Sequence, residues 1–254
     1  PKCGDIYLDT IQLQEECLNA SQVYDLDTIK PMIPDEIVVT EDDWAIISLN
    51  KSEFHLCFYH FYTGSSFFAL CKGRGPAEIV QGNSLQLMDT EVSYYDMDKG
   101  ICYQINIEST VRDKMISMDT LCLFRHIRPV FLSSCCDGFI SGNQEDATKW
   151  YSYYDKDGYI HSSIDALDFE DLKRERAIRI SFNASSLFTS SPDGTRVCAA
   201  SVLSPSLSFS ENNHGQLEEY KRVTISPIGM VNGAFTIKST SAFNCLKSDE
   251  RYVY

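Results

Sequence analysis

The sequence predicts a mainly β protein, an antiparallel β-sandwich with one or two short helices. Aromatic residues make up 12% of the 254 residues, with 14 Tyr and 14 Phe, and aromatic and β-branched residues favour strands. Short segments of these residues recur along the chain, each bounded by Gly, Pro, Asn, Asp or Ser. A hydrophobic fraction of 43% is enough for a core. Because no linker is obvious, we expect a single extracellular domain over residues 1–254.

The spacing of apolar and turn-forming residues places the individual elements. Helices are expected over Ser163–Arg176, where apolar residues recur on one face, and near Asp9–Asn19. Ser201–Ser210, with the polar residues 211–215 after it, is interpreted as a long exposed loop. An Asn232-Gly233 pair is typical of a hairpin. The predicted strands are Ile37–Thr40, Trp44–Leu49, Glu53–Phe61, Phe67–Leu70, Ile101–Ile107, Leu121–Phe124, Ile178–Phe182, Val197–Val202, Arg222–Ile225 and Ala234–Lys238.

One phrase occurs twice: Ser-Tyr-Tyr-Asp-Met-Asp-Lys-Gly at 93–100 and Ser-Tyr-Tyr-Asp-Lys-Asp-Gly at 152–158. A calcium loop of the EF-hand type with its glycine at Gly158 would need acidic residues where Tyr153 and Ile164 stand. Asp followed by Gly after a strand is ordinary hairpin chemistry, because Asp caps its own turn and Gly accepts a positive φ. We therefore predict two turns and no metal site.

The charge limits the possible partners. The formal net charge is −14, which repels phosphate backbones and anionic lipid surfaces. Nucleic acid is therefore not expected as a partner. No run of about 18 apolar residues is present, so direct insertion of this chain into a membrane is not expected either.

The cysteines and glycosylation sequons predict an oxidising, extracellular location. Ten cysteines are dispersed along the chain without any Cys-x-x-Cys pair, which favours disulfides over a zinc site. Sequons at Asn19, Asn50 and Asn183 are acceptors for N-glycans in a secreted protein or an ectodomain. Connectivity is not fixed by sequence, but pairing of near neighbours would join Cys57 with Cys71 and Cys102 with Cys122. The cysteines predicted to form disulfides are Cys57, Cys71, Cys102, Cys122, Cys135, Cys136, Cys198 and Cys245.

No pattern of catalytic residues stands out. A Gly-x-Ser-x-Gly nucleophile elbow is missing, and Gly73–Pro76 lacks the Lys-Ser/Thr ending of a phosphate loop. His55 and His60 would point to opposite faces of one strand, which argues against a shared metal. We therefore expect neither an enzyme nor a cofactor, although a secreted hydrolase with an unrecognised site remains a third and weaker hypothesis.

Residues 149–166, from Lys149 to Ala166, resemble a segment of coronavirus spike N-terminal domains, in which a strand runs into an Asp-Gly turn and an Ile-Asp pair. Ala166 stands where that family usually has Cys. The same stretch, with Leu121–Phe124 upstream, is similar to the lectin domain of viral hemagglutinin-esterases. Both families are β-sandwich, galectin-like or lectin-like folds, so the resemblance implies binding of a protein or glycan receptor on a host cell.

These observations predict a secreted glycoprotein or ectodomain that binds a cell-surface receptor. The resemblance to the two viral families implies that it is part of a viral surface protein. Exposed aromatic side chains give large contact area at low entropic cost. One tyrosine of each pair is expected to be exposed, because alternation along a strand separates the two. The alternative function is an acidic scavenger that captures a basic cytokine or chemokine. The predicted ligand-binding residues are Tyr94, Tyr95, Trp150, Tyr153 and Tyr154.

Overall fold

The computed structural model describes residues 5–7, 33–50, 52–135, 137–166, 186–191, 193–201, 206–224, 230–231 and 234–235. It divides into two compact units. The N-terminal unit comprises residues 14–123, and the C-terminal unit comprises residues 1–13 and 124–254. The prediction of a mainly β protein is confirmed, whereas the single domain over 1–254 stays a prediction.

The N-terminal unit consists of two antiparallel sheets of four strands, and in each sheet every strand pairs with the next in sequence. The first sheet contains β2 (Ile33–Val39), β3 (Trp44–Asn50), β4 (Phe54–His60) and β5 (Ser66–Cys71). The second contains β6 (Gly82–Met88), β7 (Glu91–Asp96), β8 (Ile101–Asn106) and β9 (Met118–Leu123), with helix α1 (Ile107–Asp113) between β8 and β9.

The C-terminal unit repeats this arrangement. One sheet contains β10 (Ser133–Cys135), β11 (Gly138–Gly142), β12 (Lys149–Asp155) and β13 (Ile160–Asp165). The next contains β14 (Ser186–Ser190), β15 (Arg196–Ser201), β16 (Ser206–Asn213) and β17 (Gln216–Thr224), and β1 (Asp5–Tyr7) joins β17 in parallel. A short hairpin of β18 (Met230–Val231) and β19 (Ala234–Phe235) follows, which confirms the hairpin predicted around Asn232-Gly233.

The sheets do not form a clear two-sheet sandwich. The first strands of the four sheets begin at residues 33, 82, 133 and 186, so one four-stranded meander follows another at intervals of about 50 residues. In a Greek-key sandwich, strands of two sheets exchange connections. Here the four antiparallel strands of each sheet follow one another in sequence, and only β1 joins a sheet from a distant part of the described chain. In the sequence, this interval of about 50 residues is present only as the spacing between groups of strands. The residue patterns that predict single strands therefore did not show it.

Both faces of the interior strands β3 and β4 of the first sheet are buried. On β3, Ile46 packs on one face in a cluster with Phe58 and Tyr94. The neighbouring residues Ala45 and Ile47 pack on the opposite face. A strand buried on both faces reads as a continuous apolar run rather than as an alternating pattern, which is the pattern of residues 44–49.

Helix α1 begins where the sequence predicts the end of a strand. The side chain of Asn106 caps it by accepting a hydrogen bond of 2.9 Å from the Ser109 N–H, and Lys114 ends it with φ of 50°. Asn is a favoured N-cap residue, so the predicted strand Ile101–Ile107 stops at Asn106.

The loop predicted over Ser201–Ser210 and onward to 215 is wrong for residues 201 and 206–213, which belong to strands, and residues 202–205 lie outside the described residues. Residues 206–213 form β16, and His214 and Gly215 make a tight turn into β17 with φ values of 48° and 85°. Serines have low strand propensity, but alternate residues of β16 are buried, and buried hydrogen bonds stabilise them in the strand. Tertiary contacts therefore override the local preference.

The predicted helices are not found in the described residues. Residues 163–165 belong to β13, Ala166 follows the strand outside any helix, and residues 167–176 lie outside the described residues. The same is true of Asp9–Asn19 and of the predicted strand Ile178–Phe182.

Gly82 provides a test of the packing inside the N-terminal unit. A Cβ atom at this position would lie 2.3 Å from the ring and hydroxyl of Tyr94, which is fully buried. We expect Gly82→Ala to lower the free energy of unfolding by about 1–3 kcal/mol, because overpacking shifts a rigid ring. Urea denaturation measures this difference.

Gly75→Ala is the matched control. There a Cβ atom would meet only the carboxylate end of Glu78, at 2.9 Å, and that flexible side chain can move. The expected loss is less than about 1 kcal/mol. Equal losses for the two variants would contradict the packing described for Tyr94.

Candidate functional site

The five aromatic residues predicted to bind a ligand all lie in the protein core. Each of them exposes 4% or less of its surface, so the expectation that one tyrosine of each pair is exposed is wrong. Alternation does send paired tyrosines to opposite faces, but both faces of these sheets are covered. The exposure on which a binding role rested is therefore absent at Tyr94, Tyr95, Trp150, Tyr153 and Tyr154.

The doubled phrase forms two turns, as the sequence predicts. In the first copy, the Asp96 carboxylate accepts hydrogen bonds from the N–H groups of Asp98 and Lys99, at 3.1 and 3.3 Å. Gly100 closes the turn with φ of 69°. In the second copy, Asp155 accepts from the N–H groups of Asp157 and Tyr159, both at 2.9 Å, and Gly158 has φ of 80°.

The two copies occupy different places in the repeat. The first joins the second and third strands of its sheet, and the second joins the third and fourth strands. Asp96 is fully buried and also accepts from the N–H groups of Val80 and Gln81. Similar turn chemistry therefore serves one buried connection and one exposed tip.

A buried chain of hydrogen bonds surrounds Tyr94 in the N-terminal unit. His55 Nε2 lies 3.0 Å from the Ile79 carbonyl oxygen, and because a carbonyl only accepts, Nε2 carries the proton. His55 Nδ1 is then an acceptor for the Tyr94 hydroxyl, at 3.5 Å. Burial raises the pKa of Tyr94, and the hydroxyl oxygen of the nearby buried Ser48 accepts from the Glu36 N–H at 3.0 Å.

The hydrogen bonds of this chain run in one direction, from the Tyr94 hydroxyl through His55 to the Ile79 carbonyl oxygen. Burial lowers the pKa of His55 below its ordinary value of 6.5, which favours the neutral ring that the chain requires. Ser48, His55 and Tyr94 each expose 4% or less of their surface. The chain satisfies buried polar groups, and its hydroxyls are not accessible to a substrate from solvent.

A second buried chain surrounds Tyr151 in the C-terminal unit. The Ser208 hydroxyl donates to a carboxylate oxygen of Glu219, so its oxygen is the acceptor for the Tyr151 hydroxyl, at 2.9 Å. Ser210 then donates to the Tyr151 oxygen, at 2.6 Å. Burial raises the pKa of Tyr151, and the phenol stays protonated as the chain requires.

Arg222 completes this second chain. Its Nε donates to Glu219 at 2.8 Å and one terminal nitrogen donates to the Asp165 carbonyl oxygen at 2.8 Å. The guanidinium carbon lies 5.5 Å from the centre of the Trp150 ring, and the Trp150 N–H donates to Ser186 at 2.7 Å. A buried charge needs a partner and hydrogen bonds, and Arg222 has both.

Exposed aromatic side chains lie elsewhere, at Tyr62, Phe131, Tyr159 and Tyr220, and Tyr159 lies at the turn between β12 and β13. Tyr159 is 57% exposed, and its ring centre lies 6.3 Å from that of His126. Asp155 holds the turn by accepting from the Tyr159 N–H and by pairing with His161 Nε2 at 2.7 Å. Burial acts to raise the pKa of Asp155, but the hydrogen bonds of the turn hold it below its ordinary value. We call residues 155–161 together with His126 the Tyr159 turn.

Tyr159 was not among the predicted binding residues, which came from the tyrosine pairs and from Trp150. The usable signal was its position: Tyr159 directly follows the glycine of an Asp-x-Asp-Gly turn. Turn tips project from a sheet and are exposed, whereas residues in the middle of an interior strand are not.

The six described cysteines all carry thiols, so the predicted disulfides are not found among them. In the pairing of β4 with β5, Cys57 opposes Phe68 and Cys71 opposes Phe54. Cys57 and Cys71 therefore point to opposite faces of the sheet, and the predicted bond between them is wrong. Cys136 and Cys245 lie outside the described residues, as do Asn19 and Asn183 among the predicted glycosylation sites.

Within the described ranges, no group of three or more His, Cys, Asp or Glu side chains could hold a metal ion. No helix of that part of the chain is long and apolar enough to cross a membrane.

No protein-family model matches the chain, and no curated protein matches it. Similar solved structures include hydrazine synthase from Kuenenia stuttgartiensis, with 14% identity, a TM-score of 0.46 and coverage of 73% of this chain and 48% of that one. A protein of unknown function from Desulfotomaculum acetoxidans has 11% identity, a TM-score of 0.45 and coverage of 74% and 55%. A candidate 6-phosphogluconolactonase from Bacteroides uniformis has 13% identity, a TM-score of 0.47 and coverage of 76% of this chain and 58% of that one.

The chain spans about half the length of these three structures. At such low identity and TM-score they assign neither a family nor an activity. None of the three is a coronavirus spike or a hemagglutinin-esterase, and the resemblance to those families stays a prediction.

The two copies of the doubled phrase give a direct comparison of their aspartates. We expect Asp96→Ala to lower the free energy of unfolding by about 3 kcal/mol, because buried N–H groups lose their acceptor. Asp155→Ala should cost about 1 kcal/mol, because water can replace the carboxylate at an exposed turn. Urea denaturation of both variants measures the losses, and a larger loss for Asp155→Ala would contradict the assignment.

His55 should make stability depend on pH. Its pKa is lowered in the folded protein, so the unfolded state binds the proton more readily. The stabilisation is therefore present above pH 6.5 and is lost as pH falls below that value, by at most about 1.4 kcal/mol per pH unit. Denaturant titrations of the wild type from pH 7.5 to 5.5 measure this slope.

The variants His55→Gln and His126→Gln separate this effect from other titrations. Gln does not titrate, so the slope should be smaller in His55→Gln than in the wild type. His126 is exposed, and its replacement should leave the slope unchanged. An undiminished slope in His55→Gln would show that other groups cause it.

Proposed function

We propose that this protein is a binding module that engages a protein or glycan receptor outside the cell, and that it does so through the Tyr159 turn. The observation that carries the proposal is the exposed Tyr159 ring on a turn fixed by Asp155. A tyrosine provides apolar contact area and a polar hydroxyl at a small cost in side-chain entropy.

The order within the turn supports this role. Asp155 accepts hydrogen bonds from two backbone N–H groups and pairs with His161, and Tyr159 packs beside His126. A surface that is already ordered loses less conformational entropy on binding. Lys156 and Asp137 flank the turn with an exposed ion pair at 3.8 Å, as expected for a polar rim around an aromatic contact.

Binding is favoured over catalysis by the burial of the reactive side chains. Ser48, Tyr94 and His55 have the residue types of a nucleophile and its base, but they lie in the core. A nucleophile has to reach the substrate, and the exposed Tyr159 turn offers no paired nucleophile and base.

The repeat of four-stranded meanders bears on the type of scaffold. Sheets of four antiparallel strands in sequence order, repeated along a chain, are the units of β-propellers, whereas sandwiches share their strands between two sheets. We therefore favour a blade-type repeat over the predicted sandwich. This choice does not itself indicate the ligand.

The net charge of −14 favours a second candidate function, capture of a basic cytokine or chemokine. Charge complementarity raises association rates, and added salt screens it. Binding through the Tyr159 ring should change little with salt, whereas binding through the acidic surface should weaken strongly.

Binding of the labelled protein to a panel of mammalian cells tests the proposal. We expect Tyr159→Ala to weaken binding about tenfold, equivalent to about 1.4 kcal/mol. Prior treatment of the cells with glycosidase or protease identifies the receptor as a glycan or a protein. Measurements at low and high salt distinguish the scavenger function.

Tyr220→Ala is the matched control, because Tyr220 is 50% exposed and lies on β17, away from this turn in sequence. It should bind as the wild type does. Equal binding by the wild type and Tyr159→Ala would overturn the role of the turn. Absence of binding to every cell type would overturn the receptor function.

A further inference from the structure

We propose that Cys102 and Cys122 form a disulfide under oxidising conditions and tie the edge strand β9 to β8. The proposal rests on the strand register: Cys102 is the direct partner of Cys122 in the antiparallel pairing of β8 with β9. It is independent of any receptor.

The register places the two cysteines, which are thiols in this structure, directly opposite each other on neighbouring strands. Directly opposed residues of antiparallel strands have Cα atoms about 4.5–5.5 Å apart, and disulfides span Cα separations of about 4.4–6.8 Å. Their side chains lie on the same face, and each residue is only 2% exposed. The pairing shifts its register between Cys102 and Tyr103, and a bulge of this kind lets the strands adjust locally as the bond forms.

Among the described cysteines, this is the only pair in which one cysteine directly opposes another. Cys57 opposes Ile47 and Phe68, and Cys71 opposes Phe54. Cys198 opposes Thr189 and Phe209. Cys135 opposes Gly138, and its thiol donates to the Gly194 carbonyl oxygen at 3.0 Å.

The chemistry is thiol–disulfide exchange with a small disulfide such as oxidised glutathione. One thiol loses its proton, attacks the glutathione disulfide and releases one glutathione thiolate. The second cysteine then attacks the mixed disulfide and releases the other. The two cysteines are oxidised, glutathione disulfide is reduced to two thiols, and the protons pass to the released thiolates.

Burial determines when the bond can form. It raises the pKa of Cys102, and a buried thiol reacts slowly with an external disulfide. Formation during folding, before β9 is in place, avoids this barrier. Once formed, the bond closes a loop of about 20 residues that contains α1.

Refolding of the full chain in a buffer of oxidised and reduced glutathione tests the proposal. After alkylation and digestion without reductant, mass spectrometry should identify the peptide containing Cys102 linked to the peptide containing Cys122. The oxidised protein should unfold about 5–10 °C higher than the protein treated with dithiothreitol. Recovery of the two cysteines in alkylated form, or linked to other cysteines, would overturn the proposal.

The variants Cys102→Ser, Cys122→Ser and Cys57→Ser provide the comparison. The first two should lose the linked peptide and the shift in Tm between oxidised and reduced protein. Cys57→Ser removes a buried cysteine without a cysteine opposite and should retain both. A full shift in Tm in Cys102→Ser would assign the stabilisation to another bond. If a variant fails to fold, peptide mapping of the wild-type protein still shows whether Cys102 is linked to Cys122.

Discussion

The hydrogen bonds of two buried phenols, Tyr94 and Tyr151, are the main constraint on this structure. A buried polar group without a hydrogen bond costs about 2–7 kcal/mol on transfer from water to an apolar medium. Residues on other strands supply the partners, His55 for Tyr94 and Ser208 with Ser210 for Tyr151. In both units a tyrosine lies at the centre of a chain whose proton positions follow from its terminal acceptor, a carbonyl in one case and a carboxylate in the other.

This constraint explains why serine-rich segments belong to the sheets. Ser208 and Ser210 alternate with partly buried apolar residues on β16, and each serine contacts Tyr151 on β12. Arg222 and Glu219 continue the same chain from β17. The polar groups thus set the position of one sheet of the C-terminal unit against the other, in addition to the apolar packing of Tyr151 and Val197.

Burial of the central aromatic residues also determines where binding can occur. Side chains in the interior strands pack on one covered face or the other, and the large rings that remain accessible lie mostly at strand edges and turns. Tyr159 combines exposure with a fixed backbone, because the Asp155 carboxylate orders the turn. The Asp-containing turn after residues 93–96 only reverses the chain. The similar turn after residues 152–155 also presents the aromatic ring of Tyr159.

Local chemistry by itself determined the strands around residues 44–49 and 54–60, the two Asp-Gly turns and the hairpin at 230–235, because β-branched, aromatic and turn residues act over a few positions. The register of the paired strands determined the positions of the cysteines and of the buried serines. It places Cys102 opposite Cys122 while Cys57 and Cys71 face apart, and it recruits the serines of β16 into a buried strand. The sequence could not show that both faces of each tyrosine-bearing strand are covered, since that depends on neighbouring sheets distant in sequence. The position of Tyr159 after the turn glycine indicated its exposure, whereas only the tertiary structure showed that Tyr153 and Tyr154 are both buried, because the sheets packed on their strand cover both faces.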